Sequence, residues 1–173
     1  MSELFSIQLQ NRQQQGRDGI WLDLPTTTEQ VQAALRQIGI SSDNPQGLFI
    51  SGYFAEEGKR FAIPYNMVLA SNVDELNFLA ARLETLSAGG RAELNAALQA
   101  PQSELFSIGR ITDFPENVDY YMHLPDVRGP AQLGDYYLNR SGMVDMPEEW
   151  KSGIDTAQFG RYVAQQEQGV FTE

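Results

Sequence analysis

Ser2-Glu3-Leu4-Phe5-Ser6-Ile7 recurs without change as Ser103-Glu104-Leu105-Phe106-Ser107-Ile108, 101 residues further on. Behind it, Trp21-Leu22-Asp23-Leu24-Pro25 is echoed by Tyr121-Met122-His123-Leu124-Pro125 at an offset of 100. Self-similarity at a nearly fixed spacing is the sequence signature of a duplicated unit. It points to an α+β chain in which two related strand-strand-helix modules flank a helical middle module. The expected boundaries are 1–70 for an N-terminal α+β module, 71–103 for a helical spacer and 104–173 for an acidic C-terminal α+β module.

Local patterns fill in that plan. Leu4 to Leu9 alternates as a strand, and Ile20, Leu22 and Leu24 share one face of a second, which Pro25 terminates because it has no N–H for a ladder. Thr27 or Thr28 is placed to cap a helix whose apolar positions Val31, Ala34, Leu35 and Ile38 follow helical spacing, with Gly39 as its stop. Leu48 to Phe54 reads as a strand and Glu56-Glu57-Gly58-Lys59 as a solvated turn. In the middle, Ser71 or Asn72 caps a helix with the stripe Val73, Leu76, Leu79, Ala80 and Leu83. Ala88-Gly89-Gly90 is expected to break it before a second helix from Ala92 to Ala100. The last segment is expected to repeat the strand pair (Leu105 to Ile111, Val118 to Leu124). A helix over 131–140 comes next, with Leu133, Tyr137 and Leu138 inward, then a short helical turn started by Pro147. Thr156 is a candidate cap for a helix to about Gln166, and Gly169 to Thr172 is expected to close as a short strand.

Charge narrows the classes of function. The chain carries 23 acids against 12 bases, a net charge of −11. Residues 1–70 and 71–103 are each −2, whereas 104–173 hold twelve acids and five bases, −7. Binding DNA, RNA or anionic lipid needs clustered Lys and Arg, so direct nucleic-acid or membrane binding is not expected. No run approaches the roughly 18 apolar residues of a membrane span, and the N-terminus has no secretory pattern, so a cytoplasmic location is expected. With no cysteine, disulfides and thiolate metal sites are excluded.

Catalytic chemistry finds few candidates. His123 is the sole histidine, occupies the repeat position of Asp23, and is read as structural or surface. No phosphate loop, dinucleotide fingerprint or HExxH occurs. Glu56-Glu57 and Glu148-Glu149 are adjacent pairs whose side chains diverge, unlike an acid–base dyad. The aromatic residues around 114–137 lack the interleaved Lys and Arg of a nucleic-acid surface. No catalytic residue, metal site or cofactor is expected, and the chain reads as a non-enzyme.

The C-terminal residues carry a pattern. Tyr136-Tyr137-Leu138, Ser141-Gly142-Met143, Met146-Pro147-Glu148 and Ile154-Asp155-Thr156-Ala157-Gln158-Phe159-Gly160-Arg161 come in order, with Gly169-Val170-Phe171 beyond. This resembles the end of ArdA antirestriction proteins, through Gly142, Pro147, Phe159, Gly160 and Arg161 as motif positions. Gly16-x-x-Gly19-Ile20-Trp21 with Leu24-Pro25, and Val73-Asp74-Glu75-Leu76-Asn77, are similar to the family's opening and middle. The resemblance implies an elongated three-module protein, a homodimer carried on mobile elements such as conjugative transposons, that mimics B-form DNA. It implies a type I restriction–modification enzyme as partner, inhibited by occupation of its DNA-binding groove.

Mimicry has physical requirements. Duplex DNA presents a charge about every 1.7 Å of axis. Acids one helical turn apart lie about 5–6 Å from each other. A compact ball of this length has a radius of gyration of about 16 Å, so modules strung together would extend the track. The candidate acidic surface is Asp113, Glu116, Asp119, Asp126, Asp135, Asp145, Glu148, Glu149, Asp155 and Glu167. Asp155 reads equally well as a helix cap, and Arg161 as a salt-bridge or dimer-contact residue. The alternative is an adaptor or regulatory protein of a mobile element docking through apolar contacts. Salt separates the two, since it screens charge pairing but not apolar docking.

Overall fold

The alternation read in the first strand builds the centre of a three-stranded antiparallel sheet. In the computed structural model, which describes residues 4–14, 18–41, 45–58, 60–100, 104–116 and 121–172, β1 (Phe5–Asn11) lies between β2 (Ile20–Leu24) and β3 (Leu48–Phe54). Phe5, Ile7, Leu9 and Asn11 point inward while Ser6, Gln8 and Gln10 do not, the period of two that a half-buried strand requires. Pairing sets Ile7 opposite Leu22 on one side and Tyr53 on the other. Gln8 pairs with Gly52 but Leu9 with Ile50, so Ser51 is a bulge residue, and its hydroxyl donates to the Gln8 side chain at 3.0 Å.

Helices close the inner face. Thr27 caps α1 (Thr28–Gln37) in a capping box with Gln30, and Val31, Ala34 and Ile38 are buried, as the helical spacing predicts. Gly39 takes φ +70°, a conformation that ends the helix cheaply only for glycine. Phe61, Ile63 and Val68, the last in α2 (Tyr65–Leu69), add to the core. Asn72 caps α3 (Val73–Glu84), whose whole predicted stripe, Val73, Leu76, Leu79, Ala80 and Leu83, is buried. Asn77 on the same helix receives the Thr26 N–H at 2.7 Å and donates to the Thr26 carbonyl at 3.0 Å, tying α3 to the end of β2.

Four expectations are corrected. Ala88-Gly89-Gly90 forms the first turn of α4 (Ala88–Gln99) instead of a break, with the Ser87 hydroxyl accepting the Gly90 N–H at 3.1 Å. The strand expected over Leu105–Ile111 is replaced by α5 (Ile108–Thr112), capped by the Ser107 hydroxyl, which accepts the Arg110 N–H at 3.3 Å. Its partner is not a strand over residues 121–124, and residues 118–120 lie outside the described residues, so the second strand-strand-helix module is not formed among the described residues. The closing strand over Gly169–Thr172 is irregular chain. The α+β class holds, with all described strands near the N-terminus.

The chain divides into two compact units: Met1–Asn95 with Glu104–Val118, and Ala96–Ser103 with Asp119–Glu173. The first holds the sheet, and in it α5 packs on α3 through buried Ile108 and Ile111. The second is built on α6 (Pro130–Asp135), which runs into a π-turn at Tyr136–Arg140, then α7 (Glu148–Lys151) and α8 (Thr156–Gln166). Its core is Leu133, Tyr137 and Val163, with Leu124, Val127, Tyr136, Phe159 and Ala164 packed around it.

Candidate acidic binding surface

The second unit owes its shape to two glycines. A Cβ on Gly160 would strike the Pro130 carbonyl, and one on Gly134 the Thr156 carbonyl; each glycine also lies against the other's backbone N–H. Only hydrogen at these Cα atoms lets α6 and α8 approach so closely, so Gly160 of the aromatic-Gly-Arg motif is a packing residue. Gly134, its counterpart, carries only a weak signal in the sequence: a small residue at a buried turn of a helix. Phe159 packs against the same core, Gly142 adopts φ +71°, and Pro147 is the N-cap of α7. Arg161, read as a salt-bridge or dimer-contact residue, is exposed on α8 with no ion pair among the described residues.

The acids fall into distinct electrostatic situations. Asp113 and Glu116 belong to the first unit, Asp113 as the C-cap of α5 and Glu116 in an ion pair with Arg82 at 2.6 Å. Asp119 lies outside the described residues. The remaining seven candidates belong to the second unit. There Asp135 accepts from Asn139 at 2.8 Å and pairs with Arg140 at 3.5 Å, and Glu148 pairs with Lys151 at 2.7 Å. Asp155, and not Thr156, is the N-cap of α8, its carboxylate accepting the Gln158 N–H at 2.9 Å. Glu167 sits at the end of α8, and its charge adds to burial in pushing the Tyr137 hydroxyl above its ordinary pKa of 10.0. Asp126, Asp145 and Glu149 are exposed, with no cation partner among the described residues.

The surface therefore separates acids that hold local structure from acids that face water uncompensated. Among the ten candidates the latter are Asp126, Asp145 and Glu149, all in the second unit, which carries nine acids and four bases, net −5, in its two segments; Asp18, Glu57 and Asp74 of the first unit are likewise exposed with no ion pair among the described residues. The same unit exposes apolar side chains that the sequence pattern does not mark out, among them Met122, Met143, Trp150 and Tyr162. No group of three or more potential metal ligands occurs among the described residues. No helix there is long and apolar enough to cross a membrane.

No curated protein matches the chain. The sequence profile of the family described as antirestriction protein (ArdA) matches residues 15–173. That span takes in β2 and β3, helices α1 to α5 and the glycine-locked helical unit alike, and it makes the chain a member of the ArdA family of antirestriction proteins.

Proposed function

We propose that this antirestriction protein acts without catalysis, as a mimic of B-form DNA that occupies the DNA-binding groove of a type I restriction–modification enzyme and so shields incoming mobile DNA. The observation that carries this reading is the set of exposed, uncompensated carboxylates, Asp126, Asp145 and Glu149, in a unit of net −5. A groove that binds phosphates gains affinity by pairing Lys and Arg with anions. Carboxylates already neutralised by an internal Arg or Lys compete poorly for such a groove, whereas uncompensated ones take the place of phosphate oxygens.

Rigidity matters as much as sign. Association already costs translational and side-chain entropy, so anions on ordered elements bind better than anions on a mobile tail. Asp145 precedes Pro147, whose fixed φ starts α7, and Glu149 lies on α7 itself. A homodimer acting in the cytoplasm would double the length of the anionic track.

The test is displacement of labelled duplex from a purified type I restriction–modification enzyme at two salt concentrations. Mimicry gives competitive displacement at low salt, together with direct binding of the unlabelled protein to the enzyme that weakens steeply as salt rises, because salt screens the pairing of carboxylates with Lys and Arg. Direct binding that persists or strengthens with salt would instead identify apolar docking and end the mimicry reading.

A further inference from the structure

Trp150 is 66% exposed on α7, a one-turn helix that buries none of its residues. Two other exposed rings are engaged, with the Arg110 guanidinium 5.0 Å from the Phe106 ring centre and the Trp21 indole over Gly52, whereas Phe54, Phe78 and Tyr162 are exposed as Trp150 is. Trp150 has neither a ring nor a cation partner among the described residues. The one base of α7, Lys151, is turned onto Glu148, its side chain only 15% exposed. Glu149, next to Trp150 in the chain, is thus left without a cation partner among the described residues, and Asp145 shortly before it is exposed as well.

We infer that Trp150 and Glu149 form a receiving wedge for an arginine of the partner's groove, the indole taking the guanidinium face and the carboxylate its edge. This rests on the mimicry reading and names the contact within it. Consecutive helix residues start from Cα atoms about 3.8 Å apart and diverge by about 100° around the axis, so the two side chains make two walls of an open angle. Arginine suits that angle, because its planar guanidinium stacks on aromatic faces while its N–H fork pairs with carboxylates. Charge selects the occupant: an aromatic with the unpaired acids Asp145 and Glu149 close to it in sequence repels an acidic surface and attracts a basic one. The wedge offers in one place what duplex DNA offers an arginine in two, an anion and a flat π-surface.

The experiment compares the full chain with Trp150→Ala, Trp150→Phe and Glu149→Gln in the DNA-displacement assay across a salt series, with sedimentation of each free protein. Trp150→Ala is expected to weaken displacement about tenfold with the salt slope unchanged. Trp150→Phe should recover much of the loss, and Glu149→Gln should lower the slope. In a Trp21→Phe background, Trp150 emission should change on complex formation. Displacement by Trp150→Ala equal to that of the parent overturns the wedge and leaves mimicry standing. A parent protein that displaces no DNA removes mimicry and the wedge together. If Trp150→Ala alters the sedimentation of the free protein, the indole belongs to a contact between copies of this chain, and the wedge is overturned.

Discussion

Asp155 shows how one carboxylate is open to two readings until its hydrogen bond is seen. Its oxygen accepts the Gln158 N–H at the start of α8, an orphan donor that water alone would otherwise satisfy. Asp155→Ala should destabilise the protein by about 1 kcal/mol in urea unfolding. Asp155→Asn should keep most of that stability while removing the charge, so inhibition by the Asn variant isolates the electrostatic share. Two tyrosines carry opposite lessons. Tyr53, between the rings of Phe5 and Tyr65, has a buried hydroxyl with no hydrogen-bond partner among the described residues, and burial raises its pKa despite the nearby Arg60. Tyr53→Phe should therefore stabilise the protein by up to about 1 kcal/mol; a loss of that size instead would reveal a hydrogen bond. Tyr137 is also raised, first by burial and then by Glu167 and Tyr136. A raised folded pKa means the folded state holds the proton more tightly. The stability this gives is complete below pH 10 and is lost as pH climbs from 10 through the folded value. Tyr137→Phe should flatten that alkaline decline, read as the difference in unfolding midpoint between about pH 8 and about pH 10.5.

Among the elements, the repeated peptide is the clearest case of one sequence in two conformations. Phe5 is 3% exposed in the central strand, whereas Phe106, its copy, is 67% exposed just before α5. The shared residues do not differ; their downstream neighbours do. Ile7-Gln8-Leu9 continues the period of two, so β1 pairs on both sides. In the second copy, the buried residues Leu105, Ile108 and Ile111 recur every third position, the spacing of a helix face. The serine then changes role: Ser6 donates across the sheet to Asp23 at 2.6 Å, while Ser107 caps α5. That downstream spacing was legible in the sequence and outweighs the identity of the repeat. The crossing of α6 and α8 gives the corresponding prediction. Gly134→Ala or Gly160→Ala sets a methyl against backbone that cannot swing aside, and either should cost about 3 kcal/mol. Hydrogen exchange should show the loss in α6 and α8 and leave β1 to β3 protected as before.

For the molecule as a whole, what counts is the number of charges left uncompensated, not the total. Neutralising Asp126, Asp145 and Glu149 together should weaken inhibition at low salt by well over about tenfold and reduce its salt dependence. Neutralising Glu104, Glu116 and Glu148, each already paired with Arg110, Arg82 or Lys151, removes as many formal charges and should have a smaller effect. Equal losses from the two triple variants would show that net charge alone governs the interaction and that pairing is irrelevant.

The residue order alone was enough to establish the sheet's first strands, the apolar stripe of α3 and the glycine stop after α1, because each comes from a local rule of periodicity or chain stereochemistry; it narrowed the caps of α1 and α3 to two neighbouring residues each, of which the structure selects Thr27 and Asn72. It also located the acidic excess. Why Gly134 must match Gly160, and that Arg82 neutralises Glu116, depended on contacts between residues far apart in the chain, while which of the nearby bases turns onto Asp135, Glu104 or Glu148 was settled by the folded geometry. A carboxylate's worth to a partner is set by the cation nearest to it in space, and a peptide's conformation by the surface available to bury its apolar face.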